Sequence, residues 1–194
     1  MNGPGLPLVA GSVDDLVHAL LVGLEPPEGL RQPDADDVGP TEHGLQTATL
    51  LAAEHPGDHE LQVAGLLHDV GHLVAPDRPE RHAEVGGRFV ALVLGPRVSD
   101  LVRLHVQAKR YLVAVDVTYR LRLSPGSDAL LQAEGGPLDP TGLSAFVAEP
   151  HWRDAVILRR ADESAKDPTL PLGSLADWIH ILERLARAEL RRWR

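Results

Sequence analysis

The residues best suited to chemistry are a histidine–aspartate doublet, His68-Asp69, which follows the apolar stretch 63–67 (VAGLL). That stretch predicts a buried helix, and a buried imidazole beside a buried carboxylate is costly unless a partner satisfies both groups. A divalent metal ion is such a partner, because neutral imidazole and carboxylate are normal metal ligands. The doublet therefore predicts a metal site.

Four other potential ligands occur singly on separate predicted helices: His43, His82, His105 and Asp162. His72 lies four residues after His68, on the same helical face. Helical bundles build metal sites in this way, from side chains that project inward from several helices. The spacing therefore favours a metal centre inside a bundle, and iron, zinc, manganese and magnesium all suit a site of histidines and acids.

Composition narrows the possible functions. The chain has 194 residues, 43% of them hydrophobic, a formal charge of −9 and no cysteine. This length fits one domain, over residues 1–194. The absence of cysteine excludes disulfides and thiolate chemistry, and the charge argues against broad nucleic-acid binding. With neither a signal peptide nor a membrane span in the sequence, we predict a cytoplasmic protein, and leave its oligomeric state open.

Caps and breakers indicate the elements that position the candidate ligands. Ser12, with Asp15 three residues on, predicts the start of the first helix, whose face is marked by leucines at 16, 20 and 24. Thr41 is the predicted cap of a helix to about residue 54, and Asp58 that of a helix to about residue 70. Residues 25–40 and 71–80 are predicted loops because they are rich in proline.

The rest of the chain also favours helices, separated by glycine and proline. They are predicted near 82–94, 97–108, 111–119, 125–133, 140–148, 152–165 and 174–193. Residues 113–117 are rich in valine and could form a strand, but one short strand cannot build a sheet. The predicted fold class is therefore all-α.

The candidate ligands and their surroundings resemble a known family. The pattern of His43, His68-Asp69 and Asp162 is similar to the H…HD…D hallmark of the HD superfamily, which folds as a helical bundle. A more specific match comes from seven strings of the sequence, at 41–46 (TEHGLQ), 64–72 (AGLLHDVGH), 81–86 (RHAEVG), 104–112 (LHVQAKRYL), 123–127 (LSPGS), 135–137 (GGP) and 155–162 (AVILRRAD). Over about 41–170 they resemble mixed-valent diiron oxygenases of the phosphonate-cleaving PhnZ/TmpB type.

The resemblance implies a role for each matched residue. His43, His68, Asp69 and Asp162 would hold one iron ion, and His82 and His105 the other, with Asp69 bridging. A second group would bind the phosphonate: His72, Lys109, Ser127 and Arg159, with His72 and Lys109 as the catalytic pair. Helical spacing agrees, since Lys109 lies one turn after His105 and Arg159 one turn before Asp162.

The chain departs from the family pattern at three positions. Pro33 and Asp36 stand where the family usually has tyrosine and glutamate, and Glu134 stands where it has glutamine. Asp36 keeps the charge and could meet a substrate amine. Glu134, if it points inward, would repel a phosphonate and favour a cation; pointing outward, it would have no such effect. The site is therefore expected to include both acids, with an altered specificity.

The resemblance implies a non-haem diiron dioxygenase of phosphonate catabolism, with an Fe(II)/Fe(III) pair and O2 as co-substrate. Its expected substrate is a small organophosphonate, 2-amino-1-hydroxyethylphosphonate or an N-methylated relative, cleaved to phosphate and a carboxylate. One alternative is an HD-type phosphohydrolase of a nucleotide or phosphate ester, which does not need His82, His105 and the string around Lys109. Others are a diiron oxygenase with a different substrate and a binding protein without activity.

Overall fold

The computed structural model describes residues 5–25, 39–165 and 173–192 of the chain. Within these ranges the chain is helical and contains no strand, which confirms the all-α prediction. The α-helices are α1 (Val13–Leu24), α2 (Pro40–Glu54), α3 (His59–Leu67), α4 (Val70–Val74), α5 (His82–Val115), α6 (Pro125–Ala133), α7 (Pro140–Val147), α8 (Trp152–Ser164) and α9 (Leu175–Arg192). None of these helices is both long and apolar enough to cross a membrane.

The first two helices begin differently. Ser12 caps α1 as predicted, in a reciprocal capping box with Asp15. For α2 the predicted cap was wrong: the helix begins at Pro40, after Gly39, and Thr41 lies inside it. Proline suits the first helical position because it has no N–H to leave unpaired. The Thr41 hydroxyl instead donates to the Leu20 carbonyl oxygen at 2.7 Å, which ties α2 to α1.

The segment after α3 is more structured than the sequence indicated. Asp58 caps α3 as predicted, but the helix ends at Leu67 rather than near residue 70. Asp69 leaves the helical conformation, with φ −97° and ψ 6°, and becomes the N-terminal flank of α4. The predicted loop 71–80 thus contains most of α4, and the 3-10 turn Pro79–Arg81 follows. The break places the doublet at a corner between two helices.

Helix α5 is the centre of the bundle, in contact with α3, α4, α8 and α9. It is kinked at Gly95, whose φ is +82°, where the sequence predicted a break. A second predicted break, between 108 and 111, was wrong, since no glycine or proline interrupts that stretch and the helix runs on to Val115. The buried surface is built from leucine, valine and alanine on the facing sides of these helices.

Candidate metal centre

His68, at the end of α3, is wholly buried. Its Nδ1 lies 2.8 Å from the Gly65 carbonyl oxygen. Because a carbonyl oxygen only accepts hydrogen bonds, Nδ1 carries a proton, and Nε2 is the nitrogen left to bind a metal ion. That buried Nε2 has no hydrogen-bond partner among the described residues. A metal-binding histidine commonly has this arrangement, with one nitrogen on a backbone carbonyl and the other on the ion.

His82 and His105, at the start and in the second half of α5, repeat this arrangement. Their Nδ1 atoms each lie 2.7 Å from a backbone carbonyl oxygen, of Pro79 and Val102 respectively. Their Nε2 atoms therefore face each other with lone pairs, 3.0 Å apart. Two opposed lone pairs repel unless a proton or a metal cation lies close to both. The pair thus has the donor chemistry of a metal site.

Asp69 lies between the histidines of the two halves. Its Oδ2 is 3.3 Å from His68 Nε2, and its Oδ1 is 3.5 Å from both His82 Nε2 and His105 Nε2. Among the residues that the structure describes, two triads could each hold a metal ion, since their ligand atoms lie within 4.8 Å of one another: His43, His68 and Asp69, and Asp69, His82 and His105. Asp69 belongs to both, so the two triads share one carboxylate.

Asp162, on α8, completes the first half of the cluster. Its Oδ1 lies 3.0 Å from His43 Nε2 and 3.7 Å from His68 Nε2. Its Oδ2 accepts a short hydrogen bond from the Arg159 guanidinium, which orients the carboxylate. The structure thus brings together all six residues that the sequence proposed as metal ligands, from α2, the α3–α4 corner, α5 and α8.

The cluster is strongly attractive to cations. Burial raises the pKa of Asp69 and Asp162, but neighbouring positive groups, chiefly His68 and Arg159 respectively, outweigh burial and hold both values well below the usual range. Burial lowers the pKa of His68, yet these two carboxylates raise it to about 9. For His82, burial and the nearby His72 hold the pKa well below normal, which leaves a neutral ligand. A metal would displace the proton of His68.

Two glycines beside ligands allow the helices to approach closely. A Cβ on Gly44, next to His43, would lie 2.3 Å from the Leu66 carbonyl oxygen, and one on Gly71 would lie 1.9 Å from the His82 carbonyl oxygen. Only glycine fits at such distances. These contacts fix α2 on α3 and α4 on α5 at the level of the ligands. They explain Gly44 in the string TEHGLQ and Gly71 in the string AGLLHDVGH in physical terms.

The residues expected to bind the substrate surround the cluster. The His72 ring stacks on the His82 ring with centroids 3.9 Å apart, and burial lowers its pKa. Lys109 is buried, and burial together with the Arg159 charge lowers its pKa. Arg159 is also buried, with Nη2 3.5 Å from the Ser127 hydroxyl.

Of the three departures from the family pattern, only Glu134 lies within the residues that the structure describes. Glu134 points inward: its side chain is 1% exposed, and its Oε2 lies 2.5 Å from Lys109 Nζ. The outward alternative is thereby wrong. Pro33 and Asp36 lie outside the described residues.

Two residues near Arg159 were not anticipated. Tyr119 is buried, and its hydroxyl accepts a hydrogen bond of 2.7 Å from Arg159 Nε. Glu163 forms a close ion pair with the same guanidinium. The i, i+4 spacing of Arg159 and Glu163 could have indicated their contact. Nothing in the sequence marks Tyr119, which lies forty residues away from Arg159.

Comparison with known proteins identifies the family. Residues 41–167 match the model of the HD domain. The chain is 32% identical over 152 residues to hydroxymethylphosphonate dioxygenase of Gimesia maris, which covers 74% of this chain and 75% of the relative. It is 35% identical over 133 residues to [1-hydroxy-2-(trimethylamino)ethyl]phosphonate dioxygenase (glycine-betaine-forming) of Leisingera caerulea, over 64% and 67% of the two chains. The chain therefore belongs to the HD-domain family and, within it, to the PhnZ-like oxygenases.

Proposed function

We propose that this protein is a non-haem diiron dioxygenase that cleaves the carbon–phosphorus bond of a small α-hydroxyphosphonate, giving phosphate and a carboxylate. The candidate substrates are 2-amino-1-hydroxyethylphosphonate and its N-methylated relatives. The names of the two similar enzymes support the substrate class.

The observation that carries the proposal is the place of Asp69 in two ligand triads. The triad with His43 and His68, together with Asp162, would suffice for a single divalent ion of the kind a phosphohydrolase uses. A single-ion site does not need His82 and His105 as ligands, although both are buried and their Nε2 atoms face Asp69. The second triad would hold a second metal ion, and both triads would use this carboxylate.

Under this proposal one iron would be held by His43, His68, Asp69 and Asp162, and the other by Asp69, His82 and His105. Nitrogen and oxygen donors of this kind suit non-haem iron. When bound, the iron pair supplies the redox chemistry with O2 that oxidises the hydroxyl-bearing carbon. The carbonyl groups of Gly65, Pro79 and Val102 fix the ring orientation of three of the histidines.

The surrounding side chains bind and orient the substrate. Lys109 and Arg159 provide two buried cations, and the Ser127 hydroxyl lies within reach of Arg159. Together they can donate hydrogen bonds to phosphonate oxygens, as charged donors do most strongly. His72 is held neutral by burial against His82, so it can donate one hydrogen bond and accept another. Burial of these groups limits access of water to the reacting atoms.

The overall reaction balances without an external reductant. For hydroxymethylphosphonic acid, the simplest substrate of this class, one O2 converts the acid to formic acid and phosphoric acid. The carbon is oxidised, dioxygen is reduced, and both oxygen atoms end in the products. One O2 should therefore be consumed for each phosphate released.

Oxygen-electrode measurements on the iron-loaded protein test the function. We expect O2 uptake and phosphate release in equal amounts with 2-amino-1-hydroxyethylphosphonate or an N-methylated form, with hydroxymethylphosphonate as a second compound. Phosphate release that continues under nitrogen would instead identify a phosphohydrolase. No O2 uptake on any α-hydroxyphosphonate, despite full iron loading, would refute the proposal.

Metal content tests the two triads separately from activity. His82→Ala and His105→Ala should each lower the iron content from about two ions per chain to about one or fewer, because each removes one of few ligands. His18→Ala is the matched control, since His18 is exposed on α1 and belongs to neither triad. Retention of both ions by His82→Ala, with a normal circular dichroism spectrum, would contradict the assignment.

A further inference from the structure

Lys109 and Glu134 form a buried ion pair inside the candidate substrate site. Their side chains are 5% and 1% exposed, and Nζ lies 2.5 Å from Oε2. The contact is poorly directed for a hydrogen bond, and among the described residues neither oxygen of Glu134 accepts a well-formed one. Buried carboxylate oxygens that lack hydrogen-bond donors are costly. Glu134 is therefore a buried acid with unused capacity to accept.

The backbone around Glu134 fixes this inward position. Glu134 ends α6, and its N–H donates to the Leu130 carbonyl oxygen at 2.9 Å. Gly135 and Gly136 follow with φ of +100° and +69°, a conformation that glycine adopts without strain. Arg110 donates to the carbonyl oxygens of both glycines, at 3.2 and 2.7 Å. The turn is thus held from α5, the helix that carries Lys109.

The cations of the site are already paired with acids. Lys109 faces Glu134, and Arg159 faces Asp162 and Glu163. A phosphonate that binds Lys109 must compete with Glu134 for the ammonium group. Among the described residues, Lys109 is the only ion-pair partner of Glu134. If the substrate carries no positive charge, its phosphonate weakens this ion pair while the Glu134 carboxylate stays buried. This loss opposes binding.

A substrate that carries its own ammonium group avoids that loss. Its phosphonate can take hydrogen bonds from Lys109, while its N–H groups donate to Glu134. The charges then exchange partners, and no carboxylate is left unpaired. This inference rests on the proposed function, because it assumes that the phosphonate binds beside Lys109.

We propose that Glu134 is a specificity-determining residue that favours phosphonates bearing an N–H-containing ammonium group over phosphonates without a positive charge. Two ligands of equal size test this. 2-Aminoethylphosphonate and propylphosphonate have the same number of non-hydrogen atoms and differ only in a terminal ammonium or methyl group. Both lack the α-hydroxyl group, so they bind without turnover. Calorimetric titration of the iron-loaded protein under nitrogen measures the dissociation constant of each.

The wild-type protein should bind the amino ligand about tenfold more tightly, as expected for one charge-assisted contact. Glu134→Gln should bring the ratio of dissociation constants close to one, mainly because propylphosphonate binds more tightly to this variant than to the wild-type protein. The control is Glu149→Gln, which also replaces a carboxylate by an amide, but at an acid that pairs with Arg103 instead of Lys109, and it should keep the ratio.

A wild-type ratio near one would overturn the proposal, and this measurement does not depend on the folding of any variant. An unchanged preference in Glu134→Gln would also overturn it. The proposed oxygenase function and the proposed role of Glu134 can be refuted separately. Turnover of α-hydroxyphosphonates without any preference for an amine refutes the role of Glu134 alone. A preference in binding without O2 uptake refutes the oxygenase proposal and leaves the selectivity intact.

Discussion

Gly71→Ala is a sharp test of how the fold positions the second triad. Gly71 lies two residues after Asp69, where α4 crosses the start of α5. A methyl group at this position would lie 1.9 Å from the His82 carbonyl oxygen and 2.9 Å from the Gly86 backbone nitrogen. Both neighbours are backbone atoms, so no side-chain rotation can relieve the overlap. The helices must separate.

The size of the displacement follows from the contact distances. Moving the carbonyl oxygen from 1.9 Å to the 3.4 Å at which ordinary contacts begin requires about 1.5 Å of movement. Ligand distances in metal sites are held within about 0.2 Å. The shift between Asp69 and His82 is therefore several times larger than a site tolerates. Overpacking of this kind also costs about 1–3 kcal/mol, and each kcal/mol lowers the melting temperature by about 2–4 °C in a protein of this size.

We expect Gly71→Ala to lose about one of two irons per chain and to melt roughly 2–12 °C lower, from the overpacking cost and its conversion to temperature. Elemental analysis and thermal unfolding followed by circular dichroism measure the two effects. Gly57→Ala is the matched control: nothing lies within 4 Å of its added Cβ, its φ is not positive, and it should keep both properties. Wild-type iron content and melting temperature in Gly71→Ala would refute the reasoning.

Two further substitutions test a contact beside the site and an ion pair at the start of α3. Tyr119→Phe removes the acceptor of Arg159 Nε, which leaves a buried charged donor unpaired at a cost of about 1–3 kcal/mol. We expect a raised KM for the phosphonate with a smaller change in kcat. A KM and a kcat equal to those of the wild-type protein would contradict this role. Asp58→Asn keeps an N-cap for α3 but loses the Arg97 ion pair, whose hydrogen bond lowers the pKa of Asp58 below 3.8. Because that pKa is lower in the folded state, the stabilisation is present above pH 3.8 and is lost as the pH falls through the folded-state value. The difference in urea midpoint between wild type and variant should therefore be larger at pH 7 than at pH 3, and a constant difference would rule out this pair as its source.

The amino-acid sequence determined the residue types of the centre and most of the helices that carry them. Without cysteine, a buried metal could only use histidine, aspartate or glutamate. The position of His68-Asp69 after an apolar stretch indicated a buried site, because a buried helix face can be predicted from side chains three and four residues apart. Caps such as Ser12 and Asp58 are local as well, and both begin the predicted helices. By contrast, the end of α3 was misjudged, since the corner at Asp69 has no glycine or proline to mark it.

Tertiary structure alone decided how these residues meet. That Asp69 lies between the histidines of two triads depends on the packing of α4 on α5, which a contact between Gly71 and the His82 backbone permits. Glu134 could point inward or outward as far as the sequence showed, and its direction is set by a turn that Arg110 holds from another helix. Both depend on contacts between residues far apart in the chain, whose geometry is fixed only when the helices pack together.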